Sequence, residues 1–277
     1  MPNSKSEERP SSGSRSGRLK RLFKRLDNEK RCGLIAYVTC GDPDWATTVA
    51  IVRALVHAGA DAIELGIPFS DPIADGPVIQ AASQRALARG TATQDVFKIA
   101  ERIREGTDVP LIAFSYLNPI IRLGADRFAE RASAAGIDSL LLTDLPPEAS
   151  KEMRTSLHER GLGLIFLLAP TSTAERIKAI DQASDDFIYY VSTTGVTGTR
   201  KKLDPSLLTR LDEMRVEVKK PLAVGFGVST HEHYQLLSGH CSAVVVGSAI
   251  VEAIADGPPT GAARRASDVV RSILGKK

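Results

Sequence analysis

The chain has only three cysteines, at positions 32, 40 and 241, and no two of them form a CxxC pair. An odd number of thiols set in or beside apolar runs gives neither a disulfide framework nor a metal-ligand set, and fits a reducing cytoplasm. No apolar run approaches the roughly 20 residues of a membrane-spanning helix, and the first 17 residues contain no hydrophobic signal core. A dominant charge is also missing, since 36 Lys and Arg against 33 Asp and Glu leave a net charge of +3. Aromatic residues are 5% of the chain. That is little to stack nucleic-acid bases beside the basic cluster Arg15, Arg18, Lys20, Arg21, Lys24 and Arg25, which reads instead as a solvated arm and helix face. No glycine-rich loop followed by Lys-Ser or Lys-Thr occurs, and no dinucleotide-type glycine fingerprint, so the common nucleotide-binding loops are excluded and no cofactor is expected.

What remains is an ordinary globular balance of 43% hydrophobic and 25% charged residues, enough to bury one large core. Residues 1–17, rich in Ser, Gly, Pro and charge, predict a disordered extension, with a single domain over 18–277. Leu19, Leu22, Phe23 and Leu26 then recur at helical spacing and predict an amphipathic helix able to close one end of a barrel. Beyond it, eight short apolar runs alternate with segments of helical periodicity, at 34–39, 62–67, 111–116, 139–143, 164–168, 187–192, 222–225 and 243–246. Repeated βα units of this kind predict a parallel sheet, and eight strands are the number that closes a (β/α)8 TIM barrel; an open sheet is the alternative.

Helices over 45–58 and 126–135 end at Gly59 and Gly136, each placed as a C-terminal cap. The tetrapeptides Ala58-Gly-Ala-Asp61 and Ala135-Gly-Ile-Asp138 that follow are near copies, which predicts a repeated turn in which a left-handed glycine sends the chain into the next strand.

In such a barrel the polar residues just after each strand carry function. Glu64 interrupts the second apolar run. Pointing into the barrel mouth, it would have a raised pKa and act as a general acid; the plain alternative is a buried ion pair. Asp71 and Asp75 lie in the loop that follows, where either could instead cap a helix starting near Pro77. The loop from Tyr189 to Arg200 reads as a lid, or as an ordinary crossover connection. Glycines follow both of the last strands, in Gly225-Phe226-Gly227 and Gly247-Ser248, the usual place for a phosphate cradle built from backbone N–H groups. His231 and His233 have no convincing third ligand and read as a solvent-facing helix start rather than a metal site.

The segment IELGIPFSDPIADG over residues 63–76 resembles the signature of tryptophan synthase alpha subunits. The match continues through Cys40-Gly-Asp-Pro43, Tyr116-Leu-Asn-Pro119, Thr143-Asp-Leu-Pro146, Gly195-Val-Thr-Gly198, Gly225-Phe-Gly227 and Gly247-Ser-Ala-Ile250, in family order from roughly residue 18 onward. The resemblance implies cleavage of indole-3-glycerol phosphate to indole and glyceraldehyde 3-phosphate, with Glu64 and Asp75 as the acid–base pair and Tyr189 beside the reacting centre. It implies an indole pocket from Phe114, Leu141 and Phe226, and a phosphate site from Gly198, Gly227, Gly247 and Ser248. It also implies a pyridoxal-phosphate beta subunit in an α2β2 assembly, which Asp71 would contact, with no cofactor in this chain. Two departures stand out: Thr193 occupies a position where some members carry Arg, and the basic extension has no counterpart. The alternatives are another phosphate-binding barrel enzyme, such as an indole-glycerol-phosphate synthase or a sugar-phosphate isomerase, and a noncatalytic regulatory subunit.

Overall fold

The structure, a computed structural model, describes residues 17–191, 205–225 and 227–276. The expected extension, except Gly17, and the expected lid over 193–200 lie outside these residues, as do Gly198 and Phe226.

All eight apolar runs form strands: β1 Gly33–Thr39, β2 Ala62–Gly66, β3 Leu111–Ser115, β4 Ser139–Leu142, β5 Gly163–Leu168, β6 Ile188–Val191, β7 Leu222–Gly225 and β8 Ala243–Val246. Each pairs in parallel with its neighbours, and β8 pairs with β1 to close the barrel. Helices connect successive strands, so every strand is covered on both faces, which is why the runs are continuously apolar rather than alternating. Period-two geometry then divides each strand. Leu34, Ala36, Val38, Ile63, Leu65, Leu140 and Leu142 face outward and join the core shared with the surrounding helices. Ile35, Ala62, Ile112, Leu141, Ile165, Phe187, Ala223 and Ala243 face inward.

The N-terminal end of the interior is closed as the sequence predicts. Helix Arg18–Asn28 inserts Leu19, Leu22, Phe23 and Leu26 into the inward-facing cluster, and the Phe23 and Phe187 rings lie 5.4 Å apart. The two sequence-similar turns are structurally alike: Gly59 and Gly136 take φ of 114° and 77°, in the left-handed region. The aspartates that follow do the same job. Asp61 Oδ2 accepts the Leu34 N–H at 3.0 Å and Asp138 Oδ2 accepts the Leu111 N–H at 2.8 Å, in each case anchoring the start of the preceding strand. The device recurs without a shared tetrapeptide, since Asp185 Oδ2 accepts the Leu164 N–H at 2.8 Å and Ser242 Oγ accepts the Leu222 N–H at 3.2 Å. The entries to β2, β4, β6 and β8 thus each tie down the strand before.

His231 and His233 do begin a helix, His231–Ser238, but not a solvent-facing one. His233 is 5% exposed, and His231 Nδ1 lies 2.9 Å from the Ile273 carbonyl oxygen. All three cysteines are free and buried, with Cys32 Sγ and Cys241 Sγ 3.7 Å apart. Among the described residues no helix is long and apolar enough to cross a membrane.

Asp138 also holds Arg104 at 2.9 Å and Arg18 at 3.1 Å. Its replacement leaves a partly buried guanidinium and a strand amide short of their acceptor. Asp138→Ala is expected to lower stability by about 3 kcal/mol in urea unfolding; a loss below about 1 kcal/mol would mean that β3 does not depend on this anchor.

Candidate active site

The inward face at the C-terminal ends of the strands opens into a cavity of about 180 Å³, to which β1, β2, β3 and β6 contribute Tyr37, Glu64, Phe114 and Tyr189. The β7 and β8 ends and their loops contribute Gly225, Gly227, Ser229, Gly247 and Ser248, and the loop after β2 contributes Asp75. A larger groove of about 1250 Å³ lies at the opposite end, against the helix Arg18–Asn28, and is lined by Lys20, Lys24, Lys219 and Lys220. The mouth cavity is the better candidate, because it combines a buried acid with glycine backbone at strand ends, where this architecture concentrates reactive groups.

Glu64 is paired in register with Tyr37 and Ile112 and is 0% exposed. Neither of its carboxylate oxygens has a hydrogen-bond partner among the described residues, so the ion-pair alternative does not apply there. Burial pushes its pKa up to about 8. At neutral pH it is therefore mostly protonated and can deliver a proton.

Asp75 meets a different environment. Its pKa is raised by burial and lowered again by the Tyr116 hydroxyl, reaching about 6. At neutral pH it is mostly ionised and can accept. Two carboxyls facing one cavity are thus pushed apart, one toward the acid form and one toward the base form. Helix capping does not explain Asp75 or Asp71. The helix Pro77–Ala88 has Gly76 at its N-cap, with no side-chain cap bond. The loop is shaped from within, where Asp75 N–H reaches the Pro72 carbonyl at 3.0 Å and Gln80 Nε2 donates to the Asp75 carbonyl at 2.8 Å. Asp71 is exposed at the loop surface, with Ser70 Oγ donating to its carboxylate.

Tyr37 and Tyr189 bring phenols to the same space, and burial with the nearby carboxylates holds both pKa values well above the ordinary range, so they stay neutral donors. Each requires a glycine next to it. A Cβ on Gly66 would stand 2.1 Å from the Tyr37 hydroxyl, and one on Gly225 2.4 Å from the Tyr189 hydroxyl. Of the expected phosphate residues, Gly227, Gly247 and Ser248 line the cavity. Gly227 has φ 47°, and Gly247 precedes the helix Ser248–Ala255, whose free N–H groups carry the positive end of the helix dipole. Among the described residues no Lys or Arg lines the cavity, and what they offer an anion is backbone N–H groups and the Ser248 hydroxyl.

The expected indole residues separate. Phe114 lines the cavity, its ring edge-on to Tyr37 at 5.4 Å. Leu141 does not: it is 0% exposed in the inward layer below, and Thr143, two residues further along, lines the cavity instead. Sequence reasoning missed Tyr37, Thr143 and Ser229. Tyr37 was within reach, since it has the inward parity of β1 and sits near the strand's C-terminal end.

A family model described as Tryptophan synthase alpha chain matches residues 23–273. A tryptophan synthase alpha chain of Solibacter usitatus is 51% identical over 237 residues, which are 86% of this chain and 89% of that protein. One from a Synechocystis strain is 46% identical over 239 residues, 86% of this chain and 90% of the relative. Among solved structures, Mycobacterium tuberculosis tryptophan synthase superposes with a TM-score of 0.85 at 35% identity, covering 93% of this chain and 97% of that one. A tryptophan synthase complex from Pyrococcus furiosus gives 0.82 at 38% identity, covering 88% and 98%.

Glu64 has a thermodynamic signature independent of any substrate. Its pKa lies above the unfolded value, so relative to a non-ionising residue it destabilises the fold increasingly as pH rises from about 4.5 toward 8. Glu64→Gln is expected to melt at nearly the wild-type temperature at pH 4.5 and above it at pH 8, the gap growing by about 2 °C per pH unit. A gap that does not change with pH would remove the buried-acid assignment.

Proposed function

The chain belongs to the tryptophan synthase alpha chain family, and from that premise we propose how this site performs the family's lyase reaction, the cleavage of indole-3-glycerol phosphate to indole and glyceraldehyde 3-phosphate. The observation that carries the proposal is the placement of two carboxyls, the fully buried Glu64 and the loop residue Asp75, in one cavity with strand-end glycines, where burial raises the first to about 8 and the second to about 6.

Asp75 accepts the indole N–H and stabilises the positive charge that develops on the ring. Glu64 gives its proton to indole C3, forming a C–H bond and an iminium-like ring. The Glu64 carboxylate then takes the proton of the C3′ hydroxyl, the O–H electrons form the aldehyde C=O, and the C3–C3′ bond breaks with its electron pair returning to the ring. Glu64 ends as it began, protonated. Tyr189 positions Glu64 or the substrate, and Phe114, with Phe226 outside the described residues, supplies apolar area against the indole face. Gly227, Gly247 and Ser248 hold the phosphate, joined in the proposal by Gly198, also outside those residues.

The chain itself needs no cofactor for this chemistry. The family implies a beta-subunit partner; we place pyridoxal phosphate on that partner, in a cytoplasmic α2β2 assembly whose alpha subunit is one barrel domain over 18–277. The surface supports a partner at the mouth end. Trp45, Ile73 and Ile121, respectively 51%, 87% and 60% exposed, follow the C-terminal ends of three adjacent strands, β1, β2 and β3. Asp71 lies in the same loop as Ile73 and Asp75, where a partner contact would act on the carboxylate.

The decisive assay is indole release from indole-3-glycerol phosphate with and without a beta subunit. No indole from folded protein in either condition overturns the proposal. Activity should fall as pH drops through about 6, where Asp75 takes up a proton, and as pH rises through about 8, where Glu64 loses one. Glu64→Gln should keep substrate binding while turnover drops by about 10²–10⁴-fold; wild-type turnover would take Glu64 out of the reaction. Gly227→Val, which puts a branched side chain on a left-handed backbone at the anion's place, should weaken binding of glycerol phosphate far more than that of an indole analogue in calorimetry. Equal losses for both would mean a misfolded loop.

A further inference from the structure

Asp75 sits in a loop, and loops place carboxylates less accurately than strands unless something fixes them. Tyr116, the first residue after β3, is 3% exposed and its ring packs on Phe69 of that loop, with centroids 5.3 Å apart. Its hydroxyl oxygen accepts the Ala74 N–H at 2.9 Å. A phenol has one proton to give, and with the oxygen engaged by Ala74 N–H that proton is left for an acceptor beside it; the next residue of the gripped loop is Asp75, whose negative charge also raises the phenol's pKa. The hydroxyl does not serve its own helix. Tyr116 makes no side-chain cap to Leu117–Leu123, and the Leu117 N–H is taken by Asp144 at 2.7 Å.

We propose that Tyr116 is a positioning residue for the reaction: it grips the loop at Ala74 N–H and donates to the Asp75 carboxylate, fixing where that carboxylate meets the indole N–H. This rests on the reading of Asp75 as the group that accepts the indole N–H. Donation favours the ionised form, so the phenol also keeps Asp75 charged at a pH where burial alone would protonate it. The other ionisable groups acting in this space are Tyr37 from β1, Glu64 from β2 and Tyr189 from β6, with Asp71 on the loop surface. None is a cation, and no Lys or Arg lines the cavity among the described residues. Among the described residues Tyr116 is therefore the group that offsets desolvation at Asp75.

Tyr116→Phe in the full-length chain keeps the ring and removes the hydroxyl. The carboxyl of Asp75 is titrated by carbon-13 NMR, with Asp75→Asn to assign the resonance, and the pH dependence of kcat/KM is measured beside it. The expected result is an Asp75 pKa and an acid limb both raised by about one pH unit, with kcat/KM at pH 6 falling about fivefold and the melting temperature close to wild type. An unmoved Asp75 resonance and acid limb in folded Tyr116→Phe overturn the proposal, even if turnover falls, because a purely structural role loosens the loop without shifting that titration. The failure of the underlying reading looks different. If Asp75→Asn turns over like wild type, Asp75 is not the acceptor and the proposal falls with it, whatever the NMR titration gives.

Discussion

Closing eight parallel strands into a ring leaves each strand residue only two environments, the interior or the layer beneath the helices, and adjacent residues must alternate between them. Glu64 has the inward parity of β2, shared with Ala62 and Gly66, and so its carboxyl faces the interior near the mouth. The same parity on β1, β3 and β6 selects Tyr37, Phe114 and Tyr189, while Tyr190, one residue further, is lost to the outer core. The site is thus what remains of the barrel interior above its packed layers, and its chemistry follows from the one acid that the parity of β2 sends there.

Keeping that acid uncharged and unpaired costs stability, and the barrel offsets it elsewhere. Two apolar clusters, one inside the ring and one between ring and helices, bury most of the large side chains. At the far end, Asp61, Asp138, Asp185 and Ser242 fasten the start of every second strand, and Asp61 and Asp138 also collect arginines. Charge is paired and spent on stability at that end. In the mouth cavity Glu64 is left without a partner among the described residues, consistent with the division between stability and function that this architecture permits.

The mouth is itself divided. The ionisable groups come from β1, β2 and β6 and from the loop after β2, whereas the β7 and β8 ends provide glycine, serine and a helix N-terminus. Among the described residues that side brings no cation near Glu64, so none of them counteracts the burial that raises its pKa.

The order of strands, the glycine-ended helices, the helix that closes the barrel and the acid interrupting β2 were all legible in the chain, because each is a local pattern of period, cap or interruption. The motif from Ile63 to Gly76 carries the family resemblance by itself. Depth inside the barrel was not legible. Leu141 and Thr143 share one parity, and which of them reaches the cavity depends on how far β4 is staggered against its neighbours, a property of the ring rather than of a strand. The contact of Tyr116 with Ala74 joins residues 42 apart, and the burial of His233 depends on helices packed from elsewhere. The fourfold anchoring of strand starts shows the same limit: two of its turns are near copies in sequence, but Asp185 and Ser242 perform the role with no shared motif, because what repeats is the geometry at the strand entry and any short side chain with an oxygen there can meet the waiting amide.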